Sequence, residues 1–248
     1  NEFKEDEGVG TARRIGMDYA LYCGAKVIAC MDADTLVSPS YGKALYDFFL
    51  QGEAHCRYGK NPPAGAVTGF THQAAENCEL QKAIETYEFF IKEHSRRLFK
   101  TGTPFYPYAL GPSIVSSAWG YAASGGMNRR ISGEDFYFLQ SLIKIQVQST
   151  AASEYGTGLK KRFTFPVLDC TVFPQARLSE RTLFGTGQKL AALTQKTEEQ
   201  KQGESVKNSS LLYPDKVYAE ITQTIALFYE MQNKSLDFLS KCAERVPD

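Results

Sequence analysis

The order of apolar segments predicts a layered α/β domain. Short apolar runs suited to strands, such as Ala25–Met31 and Gly65–Thr71, alternate with longer stretches whose apolar residues recur at helical spacing. A chain of 248 residues is long enough to bury a sizeable core. The first apolar run also ends in acids. Asp32 and Asp34 stand at its C-terminal end, the place where open α/β sheets collect their ligands.

Taken in order, Ala12–Tyr22 reads as a helix with Ile15, Tyr19 and Tyr22 on one face, and Gly24 suits its C-terminal cap. Ala25–Met31 is nearly continuous in apolar residues, as in a strand covered on both sides. Ser38-Pro39 then pairs an N-cap residue with Pro at the first helical position, predicting a helix to about Leu50. Gly65–Thr71 is a second strand. Asn77–Phe99 carries Leu80, Ile84, Tyr87, Phe90, Ile91 and Leu98 at helical spacing. Pro104–Met127, rich in Gly, Pro, Ser and aromatics, reads as strand and loop. Ser132 opens a helix to about Ile145, and Phe163–Phe173 alternates like a strand. A loop bearing Arg177 and Arg181 comes next. Thr194–Ser210 is a polar linker or exposed insert, and Asp215–Ala243 is an amphipathic helix through Val217, Ile221, Ile225, Phe228 and Leu239.

Composition removes several classes. Lys and Arg total 28, as do Asp and Glu, so there is no basic excess to favour nucleic acid. No apolar run approaches the roughly 20 residues of a membrane span. The six cysteines are scattered without a C-x-x-C pair, which reads as reduced thiols, about half of them core filler. The polar start, Asn1-Glu2-Phe3-Lys4-Glu5, resembles no secretory signal, and without an initiating Met the chain reads as a fragment. Together these features predict a cytoplasmic protein, with room for a peripheral position at a membrane.

Two acidic motifs could carry chemistry. In Asp32-Ala33-Asp34, carboxylates one residue apart on extended backbone point the same way and can share a divalent cation that neutralises a diphosphate. The plainer account is a solvent-facing turn in which Asp34 helps start the next helix. In Gly133-Glu134-Asp135, Asp135 could serve as a general base, while Ser132 and Asp135 equally fit a helix capping box. Trp119, the only tryptophan, could stack on a sugar ring or lie buried. Arg177 and Arg181 could close over phosphates or remain solvated. Gly8-Val9-Gly10 imitates a dinucleotide fingerprint, but Arg13 and the lack of a preceding strand rule that out.

The order of these motifs resembles the family-2 glycosyltransferases of GT-A fold. Gly8–Gly16 leads into a helix, and an apolar strand ends in Asp32-Ala33-Asp34. A long middle helix comes next, then the pair Gly125-Gly126, then Gly133-Glu134-Asp135, and last an arginine loop before Phe184-Gly185-Thr186-Gly187. The resemblance spans about residues 8 to 187 and implies a three-layer, Rossmann-like α/β domain with a mainly parallel mixed sheet. It implies this domain over residues 1–190, with a polar linker and helix, 191–248, packing on it. It also implies that the family's first nucleotide-gripping segment is missing, which leaves the base and ribose pocket incomplete.

By this resemblance Asp34 and Asp32 would bind Mn²⁺ or Mg²⁺, and Arg13 would face a UDP- or GDP-sugar. Gly125 and Gly126 would turn the backbone close to donor and acceptor, with Arg177 and Arg181 on the donor. Asp135 would deprotonate the acceptor hydroxyl, Glu134 would support the acceptor side, and Trp119 would meet the acceptor. The acceptor would be a glycan or a lipid-linked sugar, and two copies could pair through the C-terminal helix. His55, His72 and His94 all precede Glu134, so no later histidine completes the metal site. Gln175-Ala176-Arg177-Leu178 has no Arg-Trp pair, which argues against a polymerising synthase. Two rivals stand beside this reading. Val27–Leu36 resembles the nucleophilic D-x-D strand of haloacid-dehalogenase phosphotransferases, though Thr35 directly follows Asp34. The other rival is a non-catalytic module of the same fold.

Overall fold

A computed structural model describes residues 8–51, 63–130, 132–154, 164–176 and 212–243. Among them the helices are α1 (Val9–Tyr22), α2 (Tyr41–Phe49), α3 (Cys78–Thr101), α4 (Ala118–Ala123), α5 (Glu134–Glu154) and α6 (Asp215–Ala243). The strands are β1 (Val27–Ala29), β2 (Leu36–Val37), β3 (Gly65–Phe70), β4 (Ile114–Ser117) and β5 (Val167–Phe173). They form one mixed sheet in the order β1-β4-β3-β5-β2.

The sheet is α/β as expected but not mainly parallel. Only β3 and β5 run parallel, with a slip between Thr68 and Gly69, and the other three neighbouring pairs are antiparallel. The reason lies in Pro104–Met127. That stretch supplies β4, which enters between β1 and β3 and runs against both. The same stretch ends in α4, a short helix capped by Ser117, whose side chain accepts from the Gly120 amide.

Helices cover the sheet on both faces. On one, α1 and α5 bury Met17, Phe138, Leu139, Leu142 and Ile143 against Ile28, Val67 and Ile114. On the other, Phe48 and Phe49 of α2 pack on Ala66, Val115, Leu168 and Cys170. Ile114 and Val115 thus serve opposite layers, as alternating strand residues must. The central strand β3 is buried on both faces, which explains why its sequence shows no polar alternation. α3 is started by Asn77, which accepts from the Leu80 amide, and it buries Leu80, Ala83, Ile84 and Tyr87.

Local signals differ in how they are used. Gly24 comes after the last turn of α1, and the amides of Gly24 and Ala25 close onto Leu21 and Ala20, a Schellman end. Ser38-Pro39, by contrast, does not start α2. It forms a turn in which Tyr41 donates to the Ser38 carbonyl, and the Ser38 hydroxyl accepts from the Thr171 amide on β5. Ser38 is spent on holding the edge strand, so the helix begins two residues later. Similarly, α5 starts at Glu134 with Gly133 before it, so Asp135 falls in the first turn without forming the box with Ser132. Among the described residues no helix is long and apolar enough to cross a membrane. Residues 194–210 of the expected linker lie outside the described residues.

Candidate functional site

The acids meet one cation just beyond the C-terminal end of β1. α1 carries Arg13 there because its first turn packs tightly against the segment leading to α5. A Cβ at Gly10 would stand 2.3 Å from the Asn128 carbonyl oxygen and 2.7 Å from that of Arg130, so only glycine fits the approach. One turn later Arg14 donates to the Met127 carbonyl at 2.9 Å. These contacts bring Arg13 between the acid turn and the start of α5. Its Nη1 donates to Glu134 Oε1 at 2.6 Å, and its Nη2 donates to Asp32 Oδ1. Gly111 lies against the same guanidinium, where a side chain would collide with it.

Burial sets the electrostatics. Glu134 is 5% exposed, and burial, with Asp135 beside it, pushes its carboxyl above the ordinary range against the pull of Arg13. Burial likewise pushes Asp135 up, opposed by the Phe136 amide that it accepts from at 2.7 Å and by Arg13. Burial alone would disfavour the Arg13 cation, but Asp32 and Glu134 outweigh it and hold the guanidinium charged. Cys30, the residue after β1, is pushed up to about 11, chiefly by burial. It is a core thiol packed on Met17.

Asp32 and Asp34 sit in a turn closed by Thr35 donating to the Asp32 carbonyl. The residue that fixes this turn is Gln73. Its side-chain amide donates to the Asp34 carbonyl at 2.8 Å and to the Phe173 carbonyl at 2.7 Å, while its backbone amide donates to Pro174. Gln73 thereby ties the acid turn to the exit of β5, three residues ahead of Arg177. A lone glutamine after a strand carries no pattern, so nothing in the sequence marks it.

The structure therefore brings together Arg13, Asp32, Glu134 and Asp135, with Asp34 in the same turn. Gly125 and Gly126, with φ of 76° and 82°, make the reversal that returns the chain from α4 along α1. Gly126 lies against Tyr121 and Arg14, beside the site rather than in it. Trp119 is elsewhere. Val27 pairs with Ser117, so α4 leaves from the opposite end of β1 to the acid turn, and Trp119 is 37% exposed there. Arg177 and Arg181 lie outside the described residues. His72 is buried on Glu88 of α3, and His94 is bonded to Tyr218 of α6.

For a divalent cation the donor set is small but suitable. Asp32 gives one oxygen to Arg13 and keeps the other at a surface where its side chain is 39% exposed, with Asp34 adjacent. Among the described residues no three His, Cys, Asp or Glu side chains form an all-protein cage. Two carboxylates fit Mg²⁺ or Mn²⁺, hard ions that take their remaining ligands from water and phosphate. No model of a known protein family matches the chain, nor does any curated protein or solved structure.

Proposed function

We propose that this chain carries a metal-dependent glycosyltransferase centre, which moves a sugar from a UDP- or GDP-sugar to an acceptor hydroxyl with inversion. One observation supports the reading above the others. A half-buried carboxyl, Asp135, is held with a raised pKa near Asp32, which Arg13 braces in the turn that also carries Asp34, at a strand's C-terminal edge. A general base works best when its pKa approaches the working pH, and burial moves Asp135 that way. Asp34 and the outer oxygen of Asp32 would hold Mn²⁺ or Mg²⁺. When bound, such an ion neutralises the diphosphate that leaves.

The chain's own residues supply the rest. Asp135 accepts the proton of the acceptor hydroxyl while that oxygen bonds to the anomeric carbon. The bond from that carbon to the diphosphate oxygen breaks, and its electron pair leaves with the diphosphate. Glu134, locked on Arg13, is a positioning residue: it holds the guanidinium that braces Asp32. The acceptor is a glycan or a lipid-linked sugar. The same brace weighs against aspartyl-phosphate chemistry, in which the first aspartate must be an unpaired nucleophile and not an arginine partner.

Calorimetric titration of UDP and GDP, with and without Mn²⁺, tests the reading on the full-length protein and on its Asp34→Asn variant. Metal-dependent binding of one nucleotide, lost in the variant, is expected; no binding under any condition overturns it. With a donor identified, Asp135→Asn should keep nucleotide affinity and lose about 10²- to 10⁴-fold in rate. The wild-type rate should rise with pH through a midpoint above that of an ordinary aspartate, because protonated Asp135 cannot take the proton.

A further inference from the structure

Three side chains beside Asp135 have no role in the transfer chemistry. α5 places Phe136 and Tyr137 directly after it, and both are solvent-exposed, at 48% and 40%. Helical side chains lean toward the N-terminus. The Tyr137 ring accordingly reaches back over the first turn, with its edge about one van der Waals contact from the place a Cβ would take at Gly133. Gly133 has φ 72° and no side chain, which leaves that space to the ring. Arg130 then lies over the ring, its guanidinium carbon 3.9 Å from the centroid, and Phe136 meets Tyr137 edge-on at 5.4 Å and 80°.

We propose that Arg130, Tyr137 and Phe136 form a binding subsite for a pyranose ring that carries a negative charge. The C–H face of a sugar ring packs on an aromatic face, and exposed Phe136 and Tyr137 offer such faces within one helical turn of Asp135. Arg130 supplies the charge preference. Among the described residues it pairs with no carboxylate, unlike Arg13, Arg96 and Arg97. The contact with Tyr137 holds the guanidinium over the ring, and a guanidinium so placed can still offer N–H donors to a carboxylate or phosphate. That the ring belongs to the acceptor rests on the glycosyltransferase reading; the binding itself does not.

The test is calorimetric titration of the full chain with three tetrasaccharides of the same ring size: one with uronic carboxylates, one phosphorylated, one neutral. A charged probe should bind at least about tenfold tighter than the neutral one. Arg130→Gln should remove that preference, Tyr137→Ala should weaken every probe, and Tyr137→Phe should bind as wild type. All three side chains are exposed, so thermal midpoints should not move, and unchanged midpoints separate lost binding from lost folding. Equal affinity for charged and neutral probes, unchanged affinity in Arg130→Gln, or no binding by the wild type would each overturn the proposal. Of the two charged arms, the tighter identifies the anion. Nucleotide titration of the same samples keeps the two ideas apart. Oligosaccharide binding without nucleotide binding removes the transferase and keeps the subsite; the reverse keeps the transferase and removes the subsite.

Discussion

Carboxylates in two parts of this molecule are driven in opposite directions. On α3, hydrogen bonds from Arg96 and Arg97 bring Glu93 down to about 2. Glu88 also falls to about 2: burial alone would raise it, but donation from His72, Lys92 and the His72 amide prevails. At the edge of β1, Glu134 and Asp135 are pushed up. Both regions contain arginine, so the presence of a cation is not the difference. On α3 both Arg96 and Arg97 donate to Glu93, with Arg97 also reaching the exposed Asp215. At β1 one buried guanidinium serves Asp32 and Glu134 with Asp135 close behind. Several donors converging on one carboxylate make it inert and structural. Surplus acid in a buried place leaves a carboxyl poised to exchange a proton.

The sharpest way to break this contrast is to remove the single cation. Arg13→Met should cost about 3–5 kcal/mol in denaturant unfolding, because it strands a buried Glu134 beside Asp135. Adding Glu134→Gln to that variant should restore part of the loss. If Arg13→Met is as stable as wild type, the site is wetter than its burial implies and its acids are ordinary ones.

A smaller effect is expected on α3. Glu88 has a folded pKa below its unfolded value, so its contribution is present above the ordinary 4.5 and is lost as pH falls toward 2. Glu88→Gln should therefore lose about 2–3 kcal/mol at neutral pH and converge with wild type in strong acid. Glu134 has the opposite sign. Its folded pKa is raised, so Glu134→Gln should cost least at neutral pH and relatively more in acid. Parallel pH–stability curves for the two variants would refute the contrast.

Much of this contrast is out of reach of the sequence. The helices are legible: Asn77, Gly24 and the apolar spacing of 215–243 put α3, α1 and α6 within a few residues of their observed bounds. So is the position of Asp32 and Asp34 at a strand's end. Direction and pairing are not. Strand direction is not written in an apolar run, and β4 lies inside a stretch dominated by Gly, Pro and aromatics. Only the pairing of Val27 with Ser117 separates Trp119 from the acids. Arg13 and Glu134 are 121 residues apart, and their pairing comes from the close approach at Gly10. The motif order assigns Arg13 to a nucleotide; the structure buries it against Asp32 and Glu134, and the acids' own burial, invisible in sequence, raises Glu134 and Asp135. Gln73 has no signal at all.

The smallest expected effect is on the seam where α6 lies on α3. Arg97 pairs with Asp215 and also with Glu93, and it lies over the Tyr218 ring. The Asp215 side chain is almost fully exposed. An exposed pair held by two long side chains in water gains little and is screened by salt. Tyr218 is the opposite case: it is buried at 8% exposure and bonded to His94 at 2.8 Å. Asp215→Asn should leave the unfolding midpoint unchanged at low and at high salt, since Arg97 keeps Glu93 and the ring. Tyr218→Ala should lower the midpoint and speed hydrogen exchange along α6, because it removes the contact that excludes water from the seam. Should Asp215→Asn loosen α6 as much as Tyr218→Ala does, charge and not packing holds the helix down. The α3 carboxylates would then have to be read as parts of one cooperative network, and not as acids silenced one at a time by their nearest cations.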